Sequence, residues 1–225
     1  MDMLASAHGV LGHALLIDCR SQYVEPVPLP SDLAVLVVHS GVQRGLVSSA
    51  YAQRRQECAE AASQLGVASL RDVRDVRDVP DVHDLAQFQA AAAPLSPTAL
   101  RRARHVVSEN ARTQAFVDAL RSADLQRMGV LMAQSHASLR DDFEVTVPAV
   151  DRLVALLQQH IGAAGGARMT GGGFGGCVVA LLPHAAVAQV LVAVDRSYRT
   201  PQGQPAQRWC CQAAGGAAAL HPIAA

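Results

Sequence analysis

The sequence predicts an α+β fold, with helices packed on one face of an antiparallel sheet, on three observations. Short β-rich runs crowd the first 40 residues, apolar residues recur at three- and four-residue intervals from Ser96 to Ile161, and the last third alternates strand-like with helix-like segments. HALLIDCR (13–20), YVEPVPLP (23–30) and LAVLVVHS (33–40) are separated by polar or Pro-containing breaks and read as three strands, the first two a hairpin. SSAYAQRRQECAEAASQLG (48–66) opens on Ser caps, carries Tyr51, Cys58, Ala62 and Leu65 at helical spacing and stops at Gly66. From Arg71 to Val79 the triplet Arg-Asp-Val occurs three times. That is far below the ~20 residues of a solenoid repeat, and an exposed loop insertion over 71–82 with solvated Arg and Asp is expected. Helices follow over 96–120, 123–140 and 148–161, the last marked by Val150, Leu153, Val154 and Leu157. A strand at 177–182, a helix at 184–198 and a strand near 208–212 close the pattern, ahead of a loose tail over 213–225.

Composition narrows the function classes. Lys+Arg and Asp+Glu balance at 19 each, every basic residue being Arg, so no net positive field favours nucleic acid or an anionic membrane. The apolar runs Val35 to Val38 and Cys177 to Leu182 fall far short of the ~20 residues of a membrane helix. Five Cys without CxxC spacing read as reduced thiols, which places the chain in the cytoplasm. Nine scattered His give no metal-ligand spacing, so no metal site is expected within the chain. Oligomeric state has no signal in the sequence.

RMTGGGFGGCVVALLP (168–183) packs five glycines around one Phe. A dinucleotide-binding fingerprint needs its glycines after a strand and before a helix, whereas here they precede a strand. A Walker A loop requires a Lys, which the chain does not possess. The remaining readings are a tight structural turn, favoured on the residues alone, and a backbone able to approach an anion closely.

GGARMTGGGFGGCVVALLP resembles the third signature motif of the GHMP small-molecule kinases. The flanking segments narrow the resemblance to the galactokinase family: ALLIDCRS (14–21), SGVQRGLVSSAYAQRRQECAEAA (40–62), LRDV (70–73), RHVVSENART (104–113) and RMGVLMAQSHASLRDDFEVTVPAVDRL (127–153). The likeness runs over nearly the whole chain except the triplet insertion and the tail. It implies a ferredoxin-like C-terminal domain over 46–225 preceded by a strand-rich remnant of an N-terminal domain over 1–45. It also implies transfer of the γ-phosphoryl group of ATP, with Mg2+, to the C1 hydroxyl of α-D-galactose.

By the resemblance, Asp2 in MDMLASAHG stands where the family keeps the carboxylate beside the sugar hydroxyl, and is the expected catalytic and substrate-binding residue. Tyr51 stands where a tyrosine hydrogen-bonds the sugar, and Gly171, Gly172, Gly173, Gly175 and Gly176 would form a turn near the phosphates. Arg44, Arg54 and Arg55 need no role beyond a solvated helix face. Ser135, His136, Ser138, Arg140, Asp141 and Asp142 are read as helix-capping and interhelix groups. Met3, Gln43 and Ala50 depart from the family's usual Gln, basic residue and Glu. The family's sugar signature and Ser-rich ATP loop do not occur in these 225 residues. ATP and Mg2+ would therefore be held mainly by an N-terminal half, and the chain alone is expected to lack appreciable activity. A noncatalytic galactose-binding regulatory protein of the same fold, and another GHMP sugar kinase, are the alternatives.

Overall fold

A computed structural model describes residues 1–43, 47–73 and 95–217. In chain order these form α1 (Asp2–His8), β1 (His13–Asp18), β2 (Tyr23–Pro28), β3 (Leu33–His39), α2 (Val47–Gln64), a 3-10 turn (Leu70–Asp72), α3 (Pro97–Arg121), α4 (Leu125–Asp141), α5 (Pro148–Ile161), β4 (Gly166–Met169), β5 (Cys177–Pro183), α6 (Val187–Ser197) and β6 (Arg208–Cys211). The helix boundaries follow local chemistry. Ser96 caps α3 by accepting from the Ala99 N–H at 3.2 Å, with Pro97 in the first turn, and Asp124 caps α4 by accepting from Arg127 N–H at 2.9 Å. The segment expected as one helix over 184–198 begins as a 3-10 turn at His184–Ala186 before α6.

β4, β5, β3 and β6 form one antiparallel sheet in that order, while β1 and β2 pair separately as the expected hairpin. On one face Ala34, Leu36, Val38, Ala167, Met169, Val178, Ala180 and Leu182 pack against Val150, Leu153, Val154 and Leu157 of α5 and Val190 and Val194 of α6. Burying these side chains contributes roughly 2 kcal/mol for each larger one, and this is the main core. Tyr198, just after α6, closes one end: its hydroxyl donates between the Ser40 and Ala149 carbonyls at 2.8 and 3.1 Å.

α4 does not lie on that face. It runs beside the edge strand β4, where Gly129 meets Gly165 and Gly166 so closely that a side chain on any of the three would strike backbone. Met132 and Phe116 reach from α4 and α3 over the second face, onto Val179 and Leu181. The sheet is therefore covered on one face and along one edge, and only partly on the other face, which corrects the one-sided packing expected. α2 lies on α3 through Ala61 and Ala62 against Ala99, Ala103 and Val107, and the β1–β2 hairpin rests on α3 and α4 through Val27, Val117, Leu120 and Leu131.

Four further expectations need correction. β3, assigned above to an N-terminal remnant over 1–45, is a central strand of the sheet paired to both β5 and β6, so no sheet divides at residue 45. A strand, β4, does precede the glycines, which makes the glycine stretch the loop of a β4–β5 hairpin. The tail is not loose over its first residues: Gly12 donates to Ala213 O, and Gly216 and Ala217 donate to Gly9 O and Ser6 O, which ties 213–217 along α1. The first Arg-Asp pair of the triplet is ion-paired as well as partly exposed, Arg71 to Asp18 at 2.6 Å and Arg20 to Asp72 at 2.7 Å. Residues 74–82 of the insertion, Arg44 and the tail beyond 217 lie outside the described residues.

Candidate active site

The uncovered part of the second face forms the base of a cavity of about 710 Å3. Val179 and Leu181 of β5 and Arg168 of β4 line it from the sheet, Glu109, Arg112, Thr113 and Phe116 from α3, and Leu131, Met132, Ser135 and Leu139 from α4. Met1 and Asp2 at the start of α1, Tyr51 on α2, and Thr170, Gly171 and Gly172 of the β4–β5 turn complete the lining. An apolar wall with a few convergent polar groups is the usual character of a small-molecule site.

Each polar group is placed by a different element. Asp2 heads α1, where a carboxylate is favoured by the positive end of the helix, and α1 is held in turn by the 213–217 segment. Tyr51 is 48% exposed on α2. That helix is fixed to the molecule through charge: Arg54 donates to the Phe143 and Glu144 carbonyls at 2.7 and 3.2 Å, and Glu57 pairs with Arg102 at 2.6 Å. Arg102, only 2% exposed, also pairs with Glu144 at 2.6 Å, so one buried guanidinium joins α2, α3 and the loop after α4. Arg55 is exposed on α2.

A charged cluster on the cavity wall was not foreseen. Glu109 accepts from Arg112 at 2.8 Å, from Arg168 at 3.3 Å and from the Ser135 hydroxyl. Burial pushes the Glu109 carboxyl up, but Arg168, Arg112 and Ser135 together outweigh it and hold the group below its usual range. Burial likewise pulls Arg168 below the ordinary guanidinium value, with Glu109 opposing and Arg112 reinforcing. Two cations against one anion leave this wall electropositive. The two Arg and the Glu lie in RHVVSENART and RMTGGG, and nothing in residue spacing pairs positions 59 apart.

The expected site residues divide. Asp2, Tyr51, Gly171 and Gly172 share the cavity, whereas Gly173, Gly175 and Gly176 do not line it. Gly173, at φ +86°, lies against Val145, whose carbonyl oxygen would stand 2.5 Å from an added Cβ. Gly175 backs onto Val42, and Gly176 donates to Val42 O at 2.9 Å. These three serve the fold of the turn. Gly172 differs: its φ is not in the left-handed region and an added Cβ would meet nothing within 4 Å.

Among the remaining polar residues of 135–142, Ser138 and Asp142 contact the neighbouring helix α3, while Arg140 and Asp141 pair with each other on their own helix. Ser138 bridges His105 Nδ1 at 3.0 Å and Asp142 at 3.1 Å, Asp142 accepts from Arg104, and Arg140 pairs with Asp141 at 2.7 Å. His105 also stacks on Phe143 with ring centroids 4.3 Å apart. Burial chiefly lowers His105 to about 4. Among the described residues no group of three or more His, Cys, Asp or Glu side chains is arranged to hold a metal ion, and no helix is long and apolar enough to cross a membrane.

The family model described as GHMP kinases C terminal matches residues 116–200. The crystal structure of Lactococcus lactis galactokinase complexed with galactose aligns with a TM-score of 0.79 and 32% identity, over 93% of this chain and 53% of that one. That of L. major mevalonate kinase in complex with R-mevalonate aligns with a TM-score of 0.53 and 18% identity, over 91% and 50%. The second likeness is one of fold alone. This chain spans about half the length of either kinase. With α5, β4, the glycine turn, β5 and α6 all inside the matched segment, the chain carries a GHMP kinase C-terminal domain over residues 116–200.

Proposed function

We propose that the cavity is the sugar side of a galactokinase site, at which the C1 hydroxyl of α-D-galactose takes the γ-phosphoryl group of ATP. The observation that carries this reading is convergence: Asp2, Tyr51 and Thr170 to Gly172, distant in sequence and on separate elements, line one cavity. The open space at Gly172 fits close approach by a ligand, because neither backbone conformation nor protein contact requires glycine there. Asp2 accepts or orients the hydroxyl proton, and Tyr51 supplies a ring face and a hydroxyl to the sugar. The lactococcal galactokinase crystallised with galactose supports the choice of sugar.

The donor set does not fit Mg2+. Glu109 is committed to two guanidinium groups and Ser135, leaving Asp2, among the described residues, as the one uncommitted carboxylate lining the cavity. Hard divalent cations need several oxygen donors, so metal and nucleotide phosphates require groups beyond the described residues, and transfer by this chain alone is not expected. Calorimetry with galactose and with mevalonate tests the binding. Galactose-specific heat that disappears in Tyr51→Ala supports the sugar reading, and absence of galactose binding sinks it. ADP release by the purified chain with ATP and galactose would overturn the incompleteness. Binding without turnover, even after addition of an N-terminal galactokinase half, would favour a regulatory galactose-binding protein.

A further inference from the structure

His136 is buried and has no part in the cavity lining, yet it touches the strand that leads into the glycine turn. β4 is an edge strand, and its outward backbone groups meet side chains in place of another strand. Gln158 of α5 donates to Ala167 O at 2.9 Å, and the Met169 N–H donates to His136 Nδ1 over a long 3.4 Å. The next residue, Thr170, turns its own N–H the other way, to Cys177 O at 3.0 Å, and then lines the cavity with Gly171 and Gly172.

A backbone N–H can approach Nδ1 only where that nitrogen carries a lone pair, so the ring proton belongs on Nε2. Nε2 lies 3.3 Å from Asp151 Oδ1, and both atoms are buried without an aligned hydrogen bond. The other Asp151 oxygen accepts from the Thr146 hydroxyl at 3.2 Å, beside Val145, whose carbonyl accepts from Phe174 N–H at 2.7 Å. The imidazole therefore joins the first turn of α5 to the outer edge of β4. An unmet buried pair in a native core is itself a feature needing a reason. Here the ring is placed by the strand, and its Nε2–H faces the Asp151 carboxylate at 3.3 Å without an aligned bond.

We propose that His136 is the positioning residue of the glycine turn: as the neutral Nε2–H tautomer it clasps Met169 and fixes Thr170 to Gly172 at the cavity, and protonation at Nδ1 releases them. A proton on Nδ1 would set two N–H donors head to head, opening the edge one residue before the cavity. The charged groups facing His136 are Asp151 from α5, Arg168 from β4, and Arg140 and Asp141 from its own helix. Burial leads in pulling the imidazole below its ordinary value, Arg140 and Arg168 reinforce it, and Asp151 and Asp141 oppose. The clasp is consequently closed at neutral pH and opens on acidification. As an effect on sugar binding this rests on the function proposed above; as a property of the turn it does not.

The test is NMR on the full chain without ligand, from about pH 7.5 down to about pH 4, a range that reaches below ordinary histidine titration because burial lowers this imidazole. Imidazole nitrogen and carbon shifts are expected to report the Nε2–H tautomer, and the amides of Met169 to Gly172 should titrate with the His136 ring at one midpoint. His136→Asn places an acceptor oxygen where Nδ1 stands and cannot be protonated, so its turn amides should hold their high-pH shifts throughout. His136→Leu should displace them at every pH. An Nδ1–H tautomer, or turn amides that titrate unchanged in His136→Asn, overturns the proposal; if that variant fails to fold, the wild-type tautomer and the shared midpoint still decide it. Adding galactose separates the two readings. A dissociation constant rising about tenfold through the same midpoint, within the usual range of coupling, joins them. Failure to bind galactose at any pH removes the function and leaves the clasp.

Discussion

The two faces of the β4-β5-β3-β6 sheet are made from the same strands and serve opposite ends. The face under α5 and α6 is an unbroken apolar layer whose members, from Ala34 to Leu182, are almost all fully buried. The face under α3 and α4 starts with Leu33 and Leu181 packed on Met132, then gives way to Arg168, Glu109 and an open cavity. Since side chains alternate along a strand, one four-residue segment holds both characters: Ala167 and Met169 point into the core, Arg168 into the site. Apolar burial is concentrated on one face, which leaves the other free to carry charged and polar groups.

The largest test of that division is on the closed face. Leu153 has no exposed surface, and Leu153→Ala is expected to cost about 3–4 kcal/mol from lost burial and the cavity left behind. Leu131→Ala, at the wall of the existing cavity, should cost less, since its neighbours already border open space. Urea unfolding of the two variants decides it, and equal losses would show that the two faces are not energetically distinct.

Acid reaches the structure through its buried imidazoles. The folded value of His105 is about 4, against 6.5 for the ordinary group, so between those limits the unfolded chain binds the proton and the native one does not. Stability is therefore complete above about pH 6.5 and falls as pH drops, by roughly 3 kcal/mol at the lower end from this one group. His136 acts in the same direction. Thermal melting between about pH 6.5 and pH 5, above the main carboxylate titrations, should show this slope. His105→Asn should flatten it; an unchanged slope would place the acid sensitivity elsewhere.

Glu109→Gln comes next. The side-chain shape stays, while Arg112 and Arg168 lose their shared anion, at an expected cost of about 2 kcal/mol for charge-assisted hydrogen bonds on a partly buried wall. The measurement that matters is the second one, galactose affinity by calorimetry. If the electropositive wall only supports the fold, stability drops and affinity holds; if it shapes the site, both fall.

These contrasts also show which parts of the molecule could be read in the sequence. α3, α4 and α5 were visible because each repeats a 3.6-residue apolar pattern and carries a Ser, Asp or Pro start signal. β4 was not, since Gly166 to Met169 is too short and too mixed to show alternation, and its partner begins eight residues later. α1 buries no side chain and is anchored by backbone bonds from 213–217, more than 200 residues away in sequence, so no local pattern announces it. Asp2 and Tyr51 were named through family resemblance, for an exposed tyrosine and an N-terminal aspartate carry no signal of their own. Glu109, Arg112 and Arg168 carry no joint signal in the sequence, because pairing across 59 residues is a property of the folded sheet.

The smallest effect is expected inside the glycine turn, and it separates fold from site within two adjacent residues. Gly173→Ala must place a Cβ at positive φ, 2.5 Å from a Val145 carbonyl oxygen that is already committed to Phe174, so it should lower stability by about 2 kcal/mol. Gly172→Ala meets neither obstacle and should leave stability within about 0.5 kcal/mol of the parent. Its methyl group would instead occupy the space through which a ligand approaches the backbone, so galactose affinity should fall while the unfolding midpoint stays in place. If Gly172→Ala changes neither, the turn holds the hairpin and nothing else, and the sugar must be read by Asp2 and Tyr51 without it. If affinity alone falls, the boundary between fold and site runs between Gly172 and Gly173.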